Sequence, residues 1–416
     1  MSDEETMLES KKNDPHAGFF WRNQRISLAR LGLIANKFQT RGVKWFWKRL
    51  KQEFTIPETT EGVYLRDGNA WLFGLIAFLL SPFLFLFNLV WGNKNTLYYF
   101  FDLEVSPITF DIADYLVLAE IERRNRGLEN LYVYIVPGRH GGLREEGGEY
   151  EKVVDRSARY WRLNNLVIPV LSLLPTCLGY SICKDRWHAT LLRMLAGGKV
   201  FPETYWPVFP VGLFRRQILE AARQGVQIFP IFRSPDQSLR YVEKWLKARI
   251  GAKRCVTVTL RHYQFESSRN SNVQAWADFA KNLNPEIYTP VFILDTEVSM
   301  DLVPDEIKDF LFFPEAPWNM ALRSALYELA YLNMAIVHGP TALLWYNDRC
   351  RYVIFFPDKN SSQTQTSYVK DNGLIPGESL PFAAPFQKWV WKSDECSTIQ
   401  EEFQKICHAI DLVEKQ

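Results

Sequence analysis

The residues best suited to chemistry lie in Arg254–Asn272, RCVTVTLRHYQFESSRNSN. An apolar, β-branched run, Cys255–Leu260, stops abruptly at Arg261. A polar, aromatic loop leads to a second cluster, Arg269-Asn270-Ser271-Asn272, which opens the amphipathic stretch Val273–Leu283. The pattern reads as strand, loop and helix start. In an open α/β sheet, ligands bind outside the carboxyl ends of the strands. A guanidinium fork there and the free amides of a helix start can face one anion. The diphosphate of a nucleotide sugar is the leading candidate. The plain alternative for Arg261 is a salt-bridged surface residue, and for Asn270, Ser271 or Asn272 a helix cap.

Three further groups could serve the same site. Asp295 and Glu297 follow the apolar run Thr289–Leu294. Such a DxE can hold a divalent cation, because hard cations take carboxylate oxygens; otherwise one carboxylate meets a sugar or ribose hydroxyl, or caps a turn. The basic cluster already neutralises phosphate, so the favoured reading needs no metal and no cofactor beyond the nucleotide sugar as co-substrate. Gly339-Pro340-Thr341 follows a short strand. Glycine permits close backbone approach, and amides with a Thr hydroxyl can grip phosphate. Glu328 is either a ribose contact or a solvated helix residue. For a general base, Asp102, Glu104, Asp111 and His140 all lie near strand ends in the first half of the chain; such a base must reach the acceptor hydroxyl.

The elements that would position these groups alternate between strand and helix. Leu97–Leu103, a helix from Asp111 to Arg126 stopped by Gly127, and Leu131–Val136 form one β-α-β unit, which runs into the loop Pro137–Gly142. Leu166–Leu174 is open between strand and helix. Residues 178–212 read as irregular connection, followed by a helix at 213–223, a strand at 226–232 and a helix at 238–249. The second half repeats the alternation: strands at 255–260, 289–294, 334–338 and 352–356, helices at 273–283, 319–332, 342–347 and 395–413. The fold class is therefore α/β with two Rossmann-like domains, an acceptor domain at 95–250 and a donor domain at 251–394, closed by a C-terminal helix at 395–416.

Length and composition agree with this. The 416 residues suffice for two cores, and a net charge of +2 gives no electrostatic support to bulk nucleic-acid binding. Six scattered Cys, without a CxxC or zinc-like spacing, fit a reducing compartment.

The first 94 residues differ in kind. Residues 1–18 read as a disordered tail. Residues 19–67 begin as a basic stretch rich in Trp and Phe, the composition of an interfacial amphipathic helix on an anionic membrane. Residues 68–94 hold AWLFGLIAFLLSPFLFLFNLVW at Ala70–Trp91. As a helix this run would be about 33 Å long, enough to cross a bilayer, with Trp71 and Trp91 as interface aromatics. The basic flank stays cytoplasmic under the positive-inside tendency, and Pro82 interrupts the run at its middle. A re-entrant or hairpin insertion, with both halves returning to the cytoplasmic face, reconciles the two; a single crossing is the alternative.

VTVTLRHYQFESSRNSN, VFILDTE and ALYELAYLNMAIVHGPTALLWY together resemble the two-domain (GT-B) glycosyltransferases, closest to the fucosyltransferase-like group of O-fucosyltransferases and nodulation fucosyltransferases, and to enzymes of bacterial surface polysaccharides. Thr259-Leu260-Arg261 stands where that group carries His-x-Arg. The resemblance implies that Arg261 contacts the donor diphosphate, that Gly339-Pro340-Thr341 touches the nucleotide, and that the final helix crosses back to the first domain. The implied activity is membrane-associated transfer of a sugar from a nucleotide sugar to a lipid-linked or surface-polysaccharide acceptor. Polysaccharide pyruvyl transfer and a non-catalytic membrane-tethered scaffold are the alternatives.

Overall fold

A computed structural model describes residues 95–139, 141–295, 303–357, 369–370 and 372–414, with isolated positions at 42–44, 47–48, 79 and 83. The basic stretch and the apolar run Ala70–Trp91, apart from those positions, lie outside the described residues, as do His140 and Glu297. Among the described residues no helix is long and apolar enough to cross a membrane. The chain is mixed α/β and forms two compact units. The first holds the described residues up to Pro107 with Glu122–Glu145 and Leu178–Leu213; the second holds Ile108–Ile121, Glu146–Cys177 and the chain from Phe214 onward. Residue 250, where the sequence places a boundary, falls inside the second unit.

The first sheet contains β1 (Thr96–Asp102), β2 (Asn130–Val136), β3 (Cys177–Ile182) and β4 (Val200–Phe201), in the order β3-β2-β1-β4. β1 runs parallel to both β2 and β4. Its continuous aromatic run is buried on both faces, as a central strand of a parallel sheet requires. Phe100 and Val136 meet Ala189 of helix Arg186–Leu195, with Leu192 and Ala196 packed alongside. Sequence reading treats this region as irregular. Its Gly, Pro and aromatic content conceals a helix whose start is marked by Asp185, which accepts a hydrogen bond from the His188 amide at 2.8 Å.

The second sheet contains β5 (Arg254–Thr259), β6 (Tyr288–Ile293), β7 (Leu311–Phe312), β8 (Leu332–Ile336), β9 (Tyr352–Phe355) and β10 (Gln387–Val390). Their order is β10-β9-β8-β5-β6-β7, and every neighbouring pair is parallel. The chain starts at the centre with β5, steps outward through β6 to β7, then returns to place β8 on the other side of β5. This is the strand order of a doubly wound, dinucleotide-binding sheet, and its direction reverses between β5 and β8.

Alternation along β5 explains its two buried faces. Val256, Val258 and Leu260 enter a core with Trp276, Phe279, Ile399, Phe403 and Ile410. Thr257 and Thr259 are buried too, but each hydroxyl has a partner: Thr257 Oγ1 donates to Asn333 Oδ1 at 2.6 Å, and Thr259 Oγ1 lies 3.1 Å from the Tyr327 hydroxyl. Buried hydroxyls without such partners would cost stability.

Several elements differ from the sequence reading. Residues 226–232 form no strand: Ile228, Ile231 and Phe232 are buried, but Pro230 has no N–H for a ladder. Leu163–Leu173 is one irregular helical stretch, with a π segment, a short α turn and a 3-10 turn. β7 and β10, of two and four residues, are too short to carry a periodic signal. The final helix, Cys396–Glu414, buries Ile399, Phe403, Ile406 and Ile410 in the core of the second sheet.

The loop after β2 is closed by reciprocal backbone bonds between Gly138 and Gly142, at 2.9 and 3.1 Å. A Cβ on Gly138 would lie 2.7 Å from both the carbonyl carbon and oxygen of Leu143. Because those atoms are backbone, Gly138→Ala is expected to lower stability by about 1–3 kcal/mol. Thermal denaturation checks this; an unchanged midpoint would show that the loop yields freely.

Candidate functional site

The carboxyl edge of the second sheet gathers Arg261 after β5, Asp295 after β6 and His338 after β8. β5 and β8 are the strands flanking the reversal, where such a sheet forms its binding crevice.

Arg261 is only 5% exposed. Its backbone N–H donates to Ser271 Oγ at 2.9 Å. Its guanidinium donates to the carbonyls of Glu266 (3.0 Å) and Phe265 (2.6 Å) and to Asn270 Oδ1. All three side-chain acceptors are uncharged. Burial pulls its pKa down to about 10, Arg269 pushes the same way, and Asp295 and Glu266 oppose the shift. A desolvated cation held by neutral acceptors beside a second cation favours the binding of an anion. The cation itself holds the loop in shape: Glu266 takes the left-handed backbone region, φ 51°, with its carbonyl bound to Arg261. Arg269 pairs with the Glu266 carboxylate at 3.0 Å.

The Asn residues have local tasks. Asn270 clamps the loop, accepting from the Tyr263 amide at 3.0 Å and donating to the Tyr263 carbonyl at 3.1 Å. Asn272 caps helix Val273–Lys281 by accepting from the Ala275 amide. The cap is tied to Asp394, whose Oδ2 accepts from the Asn272 amide at 2.7 Å and from Trp276 Nε1 at 3.0 Å.

The Gly339–Thr341 turn is built tightly. Thr341 is fully buried and its hydroxyl donates to the His338 carbonyl at 2.6 Å, so that proton serves the turn. Pro340 is buried. Gly339 is exposed, and a Cβ there would lie 2.8 Å from Cδ2 of Phe110. Glu328 is an internal tie rather than a solvated helix residue. It pairs with Arg349 at 2.8 Å and accepts from the Ser234 amide and Asn347 Nδ2.

The structure separates the proposed bases. Asp102, in the first unit, is buried with both oxygens engaged: Arg186 binds it bidentately at 2.9 and 2.8 Å, and the Tyr205 hydroxyl donates to Oδ2 at 2.7 Å. Burial raises its pKa against the opposing pull of Arg186. Proton abstraction by Asp102 would require breaking this pair. Glu104 accepts from the Arg139 amide at 2.6 Å. Asp111 belongs to the second unit, and its side chain is 45% exposed. It follows Phe110, the residue packed against Gly339, and accepts a hydrogen bond from Thr109 Oγ1 at 2.9 Å. Among the described residues no cluster of His, Cys, Asp or Glu is arranged to hold a metal ion.

Two residues at this edge escape sequence reading. Arg323 is 0% exposed; its Nε donates to the Ala316 carbonyl at 2.9 Å and its Nη2 to the Leu294 carbonyl at 3.0 Å, at the end of β6. His338 is buried one step before the turn. Arg323 carries no signal, because an Arg in a helix defaults to solvent. His338 does carry one: it stands where the apolar strand stops, as Arg261 does.

No protein family matches the chain, and no curated protein matches it. Solved structures resemble it at low identity. They include the E. coli ADP-heptose lipopolysaccharide heptosyltransferase II (9% identity, TM-score 0.46, 77% of this chain and 100% of that one). A family 9 glycosyl transferase from Veillonella parvula also resembles it (10% identity, TM-score 0.41, 75% and 90%). So does the iron-containing dodecameric glycosyltransferase TibC of enterotoxigenic E. coli (10% identity, TM-score 0.35, 76% and 77%). At 9–10% identity these likenesses assign no activity.

Glu328 generates a test of the framework beneath the site. Burial alone would raise its pKa, but the hydrogen bonds from Arg349, Asn347 and Ser234 outweigh that and hold it below the ordinary 4.5. A depressed carboxylate contributes stability that is complete above pH 4.5 and lost as pH falls through the lower folded-state value. Glu328→Gln should cost about 2 kcal/mol at pH 7 and less in acid. Denaturant titrations at pH 7 and pH 3.5 check this, and a pH-independent difference would refute it.

Proposed function

We propose that the protein is a glycosyltransferase that moves a sugar from a nucleotide-sugar donor to a glycan or lipid-linked acceptor. The observation that carries the reading is Arg261: a buried guanidinium with neutral acceptors, at the carboxyl end of the central strand, beside the reversal of a doubly wound parallel sheet. A diphosphate supplies the negative charge that this cation lacks. The GT-B reading and the fucosyltransferase-like pattern enter through Arg261 and the Gly339–Thr341 turn, and they commit the donor only as far as a nucleotide sugar.

In this reading the acceptor hydroxyl attacks the anomeric carbon as the carbon–oxygen bond to the diphosphate breaks. The nucleoside diphosphate leaves with the bonding electrons, and Arg261, with Arg269 behind it, stabilises the developing charge. The acceptor proton passes to a carboxylate. Asp111 is the best placed: its side chain is half-exposed, its pairing with Arg215 is long at 3.7 Å, and it lies next to the residue packed against Gly339. The chemistry proceeds without a metal, because the cationic edge supplies the charge stabilisation. The apolar run Ala70–Trp91 and the basic stretch before it would hold the enzyme on the cytoplasmic face of a membrane, where its donor and a lipid-linked acceptor meet.

Arg261→Lys keeps a cation but loses the planar fork. It should weaken nucleoside-diphosphate binding about 10- to 100-fold, measured by calorimetry with and without Mg²⁺. Unchanged affinity in the folded variant would sink the donor-site reading. Asp111→Asn should lower kcat by about 10²–10⁴ while donor affinity holds. Equal loss in both variants of donor binding, or full activity in Asp111→Asn, would remove Asp111 from the mechanism.

A further inference from the structure

His338 has a buried polar atom that the sugar-transfer reading leaves unused. The residue is 5% exposed and stands two residues beyond β8, at the reversal of the sheet. Its Nδ1 lies 2.7 Å from the Ile336 carbonyl oxygen, which can only accept, so Nδ1 carries the proton. Nε2 is buried and has no hydrogen-bond partner among the described residues. The neighbouring cation Arg323 has a buried Nη1 in the same condition. Buried polar atoms in folded proteins are almost always satisfied, so such an atom at a sheet's binding edge points to a ligand.

The ring's surroundings decide what kind of group it can meet. Burial drives the His338 pKa down to about 3, and Arg323, Arg261 and Arg269 push it the same way against the Ile336 bond. His338 is therefore neutral at physiological pH, and its Nε2 presents a lone pair. An ionised phosphate oxygen also presents lone pairs and would be refused there. A hydroxyl or an N–H would be taken.

We propose that His338 is a donor-recognition residue: its Nε2 accepts a hydrogen bond from a hydroxyl or N–H of the nucleoside whose diphosphate Arg261 holds. This rests on the donor-site reading above. The two neighbours divide the work. The arginine binds charge without regard to what is attached, and the histidine requires a proton-bearing group at a fixed distance from that charge.

The test measures binding of ADP, GDP, UDP, CDP and inorganic pyrophosphate to the full chain by calorimetry, for wild type, His338→Phe, His338→Gln and Arg261→Met. His338→Phe should weaken the preferred nucleoside diphosphate about tenfold, the loss of one hydrogen bond, and leave pyrophosphate unchanged. His338→Gln, which keeps an acceptor, should recover part of that loss. Wild-type binding of the nucleoside diphosphate should show no His338-dependent break between pH 8 and pH 5, because the ring stays neutral throughout. Equal loss for both ligands would make His338 structural and overturn the proposal. So would unchanged nucleoside-diphosphate affinity, or a break near pH 6.5 that His338→Phe abolishes. Arg261→Met separates the two claims: pyrophosphate binding that survives it removes the donor site itself, whatever His338 does.

Discussion

A positive charge buried at the end of a parallel strand is the constraint on which the candidate site depends. β5 is central and covered on both faces, so its side chains must be apolar or internally satisfied. At Arg261 that rule stops applying, yet the residue remains buried. The loop that follows compensates: two carbonyls and an Asn side chain converge on the guanidinium, and Ser271 secures its backbone. These contacts satisfy hydrogen-bonding capacity without supplying a full negative charge. The carboxylates of Asp295 and Glu266 act on this cation through space and accept no hydrogen bond from it.

Three buried carboxylates follow the opposite arrangement, whereas Arg323, like Arg261, is held by backbone carbonyls. Asp102 with Arg186, Asp114 with Arg215, and Glu328 with Arg349 each bring a carboxylate to the cation. Tyr205 and Tyr346 hydroxyls complete the first two. Paired this way, buried charges hold elements in place, and removing one partner strands the other. The contrast gives a criterion for sorting the chain's acidic residues. Those enclosed by short bonds to an arginine belong to its framework, whereas Asp111, with its side chain 45% exposed, meets Arg215 only at 3.7 Å.

Much of this was legible in the sequence because the second half is regular. A β-branched strand ending at Arg261, an apolar strand ending at Asp295 and a short strand before Gly339 place their last residues at one edge, since parallel strands share a direction. The first unit was harder to read. Helix Arg186–Leu195 lay hidden among glycines and aromatics, and β4 is too short for periodicity to register, as are β7 and β10 of the second sheet. Side-chain engagement was harder still. Nothing in the order of residues shows that Asp102 is enclosed by Arg186 and Tyr205, residues 84 and 103 positions away. Likewise, the Thr341 hydroxyl turns back to the His338 carbonyl, a bond of local geometry that composition does not disclose.

The sequence by itself determined the kind of architecture, because apolar periodicity and strand-to-helix alternation are local properties that act before any long-range contact forms. It also determined that cationic and acidic groups would stand at strand ends. Strand order was decided only in three dimensions: β8 returns beside β5 rather than beyond β7, and that return brings Arg261 and His338 to the two strands flanking the reversal. Tertiary structure also decided which charged groups are satisfied internally and which are not. That outcome depends on desolvation and on partners distant in the chain, and only the folded packing sets them.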